Sequence, residues 1–110
     1  MAHRFVRAEP FDDRLSELFE RVADGEIEEM EPFGRSMTDS LKRARFDPDT
    51  GEAVWIEEDY CSPPLAMERE AVLDDYFDPI DVVEPDVDES AAWSQIEELP
   101  RLRDRVVGEA

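Results

Sequence analysis

A thiol attacks only as its thiolate, and the stretch DYCSPPLAMERE (59–70) sets the single cysteine, Cys61, just ahead of a Ser-Pro-Pro that reads as a helix start. A helix N-terminus favours the thiolate, but a nucleophile also needs a cation or a base beside it. Neither is supplied here. Glu57, Glu58 and Asp59 precede the cysteine and disfavour its ionised form, and His3, the only imidazole, lies in an N-terminal segment (1–9) that reads as mobile. Cys61 is therefore expected to be a small buried side chain at a strand-to-helix corner, and no catalytic residue is assigned. One cysteine forms no intrachain disulfide, and one histidine leaves no zinc-type cluster.

The turn DPDTGE offers carboxylates instead. Asp47, Asp49 and the later Glu58 fall at positions 1, 3 and 12 of a calcium-loop spacing. Gly51, however, stands at position 5, where an oxygen ligand belongs, and Glu52 replaces the glycine required at position 6. A plain hairpin turn with solvated acids is the expectation, with no specific metal. Adjacent acids such as Glu28 and Glu29 or Asp74 and Asp75 would suit general acid–base work, but acids are so common here that adjacency carries no information. Ser36, Ser62 and Ser90 have no base partner in the sequence, and no glycine-rich phosphate loop is present. No cofactor is implied.

Basic residues are the scarcer resource and their placement is uneven. Between 46 and 98 there are eighteen acids and one Arg, whereas 34–46 holds Arg35, Lys42, Arg43 and Arg45, and 101–105 holds Arg101, Arg103 and Arg105. These two islands form the candidate contact patch for an anion or a partner, since guanidinium groups grip carboxylates and phosphates through paired hydrogen bonds. The alternative is that they pair with the chain's own carboxylates. No nucleic-acid motif accompanies them, and a strongly negative field repels nucleic acid.

That field comes from thirty-one Asp and Glu against twelve Lys and Arg, a net charge of −19 over 110 residues. Such self-repulsion opposes compaction, yet 41% of the residues are hydrophobic, enough for one modest core. At 1 M salt the Debye length falls to about 3 Å and the repulsion largely vanishes. Eleven of the twelve basic residues are Arg. Acidic excess and scarce lysine, with FDPDTGEAVWIEEDYCSPPLAMEREAVLD as the most distinctive run, resemble the small proteins of unknown function found in extremely halophilic archaea. That resemblance implies a habitat, an archaeal cytoplasm with salt-dependent folding, and no site residues. Lacking a long apolar segment, the chain is expected to be cytoplasmic, without a membrane partner.

The elements that must position these groups follow from periodicity. Phe11, Leu15, Leu18, Phe19 and Val22 make one helical stripe between Pro10 and Gly25, and residues 25–40 read as a connector with at most a short turn after Ser36 or Thr38. Phe46 and the run Val54, Trp55, Ile56 flank Asp-Pro-Asp-Thr-Gly as a hairpin. Ser62 and Pro63 open a helix carrying Leu65, Val72, Leu73 and Tyr76, closed by Phe77 and stopped by Pro79. Ile80, Val82 and Val83 suggest a third strand beside the hairpin. Asp88 caps a last helix with Ala92, Trp93, Ile96 and Leu99 on its face, interrupted by Pro100; LRDRVV adds a turn or two before a frayed tail (107–110). The expected fold is α+β: one domain (1–110) with a hairpin or three-stranded sheet against three or four short helices. Its function is expected to be that of a non-enzymatic interaction or accessory protein with an unidentified protein partner. An open sheet edge makes a homodimer possible.

Overall fold

Alternation of side chains in an extended chain decides the centre of the molecule. A computed structural model describes residues 2–59, 65–83 and 86–107. Strand β1 (Ala2–Pro10) pairs antiparallel with β3 (Glu52–Asp59) on one side and with β4 (Phe77–Val83) on the other. A short β2 (Arg45–Asp47) closes the hairpin with β3, so the sheet order is β2-β3-β1-β4. Cross-strand partners share a face. Val6 with Trp55 and Ala8 with Ala53 therefore lie on one side, and Phe5 with Ile56 and Arg7 with Val54 on the other.

Both faces are covered. Residues 53–57 of β3 are almost wholly buried, which explains why its pattern is a continuous apolar run ending in Glu57 rather than a strict alternation. Trp55 packs tilted on Phe77 with ring centroids 5.0 Å apart, and its indole N–H donates to the buried Glu57 carboxylate at 2.9 Å.

The helical stripe folds as expected from Leu15 on: a 3-10 turn (Asp12–Arg14) leads into α1 (Leu15–Ala23), which buries Leu15, Leu18 and Val22, while Phe11 precedes the helix and is exposed. Gly25, at φ +79°, takes the chain out of it. The hairpin turn also matches, with Gly51 at φ +78° donating to the Asp47 carbonyl at 2.8 Å. The helix expected to reach Phe77 is shorter: α3 (Ala66–Ala71) gives way to a 3-10 turn (Leu73–Asp75), and Phe77 and Pro79 belong to β4, while the expected Ser62–Pro63 cap and Cys61 lie outside the described residues. Asp88 caps α4 (Glu89–Ile96) as anticipated, its carboxylate accepting from the Ala91 N–H at 2.9 Å, but the helix ends before Leu99. A last turn, α5 (Asp104–Val107), follows; residues 108–110 of the expected frayed tail lie outside the described residues.

Three further expectations are corrected. The N-terminal segment 1–9 is, from Ala2 on, a central strand rather than a mobile lead, with β-partners on both sides. The third strand does not adjoin the hairpin, because β1 intervenes, giving four strands. The connector contains a full helix, α2 (Gly34–Arg43). Gly34 permits its start: a Cβ there would stand 2.3 Å from the Ile27 carbonyl oxygen and 2.7 Å from that of Glu28. Ser40 on α2 donates to the Ile56 carbonyl at 2.7 Å, tying the helix to β3 beyond the end of β2. The radius of gyration, 12.9 Å, is that of one compact body of this length, about 13 Å. No helix among the described residues is long and apolar enough to cross a membrane.

Candidate anion-binding cleft

The two basic islands are far apart in sequence and adjacent in space. Segment 100–102 runs alongside β2: the Phe46 N–H donates to the Pro100 carbonyl at 2.8 Å and the Leu102 N–H to the Ala44 carbonyl at 2.9 Å, with Arg45 and Arg101 directly opposed. Leu102 is fully buried and anchors the segment. These contacts cover the outer edge of β2 and set one island against the other.

Between them and α4 lies an open cleft of about 360 Å³, lined by Arg43, Arg45 and Arg101 on one side. The other side is a stripe of α4: Glu89, Ser90, Trp93, Ser94 and Glu97. That spacing repeats every turn of a helix, so one face of α4, continued by its C-cap residue Glu97, supplies all five. The guanidinium of Arg43 sits 4.0 Å from the Trp93 ring centroid, a cation–π contact that holds both side chains. Arg45 donates to the Leu99 carbonyl at 2.8 Å, which fixes it against the incoming C-terminal segment. Arg43 also approaches Asp39 at 3.6 Å, one helical turn away. Arg101 is exposed and makes no ion pair among the described residues. Trp93 is only 8% exposed, and its indole N–H is buried with no acceptor among the described residues.

The remaining island residues are placed elsewhere. Arg105 pairs with Asp12 at 3.0 Å and lies 3.9 Å from the Phe46 ring centroid, so it fastens α5 to the body of the protein. Arg35 lines a different, acidic hollow with Glu28, Glu29 and Glu31. Lys42 and Arg103 are exposed and line neither. Three of the seven candidate residues thus converge, one is used internally, and three stand apart. Sequence reasoning missed the α4 half of the cleft. The signal was present, since Glu89, Ser90, Ser94 and Glu97 form the polar stripe beside the buried Ala92 and Ile96, but acids and serines are too frequent in this chain to stand out.

The calcium-like turn is occupied by the protein itself. Arg7 reaches across from β1 to Asp47 at 3.5 Å and Glu52 at 3.3 Å, placing a guanidinium where a cation would otherwise balance them, and Asp47 turns its other oxygen to the Asp49 N–H at 3.0 Å. Among the described residues no group of three metal-ligating side chains comes together. Compared with protein-family models, curated proteins and solved structures, the chain matches none.

Proposed function

We propose that this is a non-enzymatic binding protein of a high-salt archaeal cytoplasm, and that the cleft at Arg43, Arg45 and Arg101 receives an anionic group of its ligand or partner. One observation carries the reading: in a chain of net charge −19, three guanidinium groups from two separate segments gather in one open cleft against a buried tryptophan. Bringing three like charges together opposes folding unless counter-charges answer them. Asp39 answers Arg43 at 3.6 Å, whereas Arg101 makes no ion pair among the described residues and is left to receive a further negative group. Nucleic acid is disfavoured, because successive phosphates on either side of the cleft would face the acidic surface.

Ligand linkage provides the test. Acetate, titrated at constant ionic strength against KCl, is expected to raise the melting temperature of the wild-type chain, as any ligand of the native state must. The same titration on an Arg43→Ala/Arg101→Ala variant controls for general salt effects. Equal increments in both proteins would contradict the assignment of the cleft.

A further inference from the structure

The cleft is not purely cationic, and its mixed lining narrows what it can hold. Glu89 and Glu97 stand at the two ends of the α4 stripe, eight residues and therefore about 12 Å apart along the helix, with Ser90, Trp93 and Ser94 between them. A dianion or a row of phosphates would meet these carboxylates as well as the arginines. It would also have to approach against the field of the whole chain. A molecule carrying one carboxylate and one ammonium group has no net charge to be repelled, and it matches both signs of the lining. High salt sharpens the preference, since screening removes long-range attraction and leaves close, paired contacts to decide binding.

Size agrees with this. About 360 Å³ is at the small end of the range for small-molecule sites. We infer that the cleft takes a small zwitterion of the free amino-acid class. Its carboxylate is held by Arg101 and Arg43 and its ammonium group by Glu97. This rests on the reading of the cleft as an anion site and adds the second charge.

Glycine and acetate differ by the ammonium group alone, and the two tryptophans supply the readout. In ¹⁵N-resolved NMR the Trp93 indole signal, assigned through Trp93→Phe, reports the cleft; that of Trp55, bonded to Glu57 in the core, reports whether the fold is intact. Glycine is expected to shift the Trp93 signal with half-saturation at least about threefold below that of acetate, the size of an exposed ion pair. Glu97→Gln should erase that difference, and Arg101→Ala should weaken both ligands by about tenfold with the Trp55 signal unmoved. Acetate binding as well as glycine overturns the zwitterion assignment and leaves the anion reading standing. A glycine preference that survives Glu89→Gln/Glu97→Gln overturns it too. A Trp93 signal that responds to neither ligand in the wild-type chain overturns both.

Discussion

Tyr76 shows how single residues in this chain are held by charge. Its hydroxyl donates to Glu17 at 2.6 Å and accepts from Arg21 at 3.1 Å, while the Arg14 guanidinium lies 5.0 Å from the ring centroid. Burial, followed by the bond to Glu17, pushes the Tyr76 phenol above its ordinary value, and the same bond from Tyr76 holds the Glu17 carboxyl below its own. The two shifts set opposite limits on stability. Glu17 contributes above the unfolded carboxyl value of 4.5, and its contribution is lost as pH falls through the lowered folded value. Tyr76 contributes fully below the unfolded phenol value of 10.0, and that contribution is lost as pH rises through the raised folded value. Ultraviolet titration should therefore show one tyrosine ionising above the ordinary range. In Glu17→Gln it should ionise at lower pH, because a carboxylate acceptor no longer favours the protonated phenol. An unchanged titration would mean that burial alone sets the shift.

At the scale of elements, capping and close approach decide what forms. Asp88→Ala removes the one side-chain cap seen on α4 and is expected to destabilise the fold by about 1 kcal/mol, read as a lower denaturant midpoint at unchanged slope. That cap, the stripe of α1 and the Asp47–Gly51 turn were legible because each depends on local chemistry. β1 and α2 were not. β1 carries His3, Arg4 and Arg7 among its apolar residues, and it becomes a strand because β3 and β4 flank it, a fact about partners 45 and more positions away. α2 contains Gly34, Ser36, Thr38, Asp39 and Ser40, all poor helix formers, and gains its helix from burying Met37 and Leu41. The cleft was half legible for the same reason. Rarity marked Arg43, Arg45 and Arg101, but only the bonds between Ala44–Phe46 and Pro100–Leu102 reveal which arginines meet and that Arg105 is spent on Asp12. At the far edge of the sheet, β4 exposes Asp78, Pro79 and Asp81, residue types that natural sheet edges carry against strand-to-strand aggregation.

Over the whole molecule, a core built on Trp55, Tyr76, Phe77 and the leucines of α1 is wrapped in a surface whose charges mostly repel one another. Internal pairing answers only part of this: Arg7, Arg14, Arg21, Arg69 and Arg105 each neutralise nearby acids, and the excess remains. We propose that dissolved counterions supply the rest. The most direct measurement is equilibrium unfolding followed by circular dichroism across KCl from about 0.1 M, where the Debye length is near 10 Å, to about 1 M, where it is near 3 Å. A thermal midpoint that climbs steeply with KCl, from a chain largely unfolded at the dilute end, is expected. A cooperative transition at the same temperature throughout would contradict a fold that depends on screening.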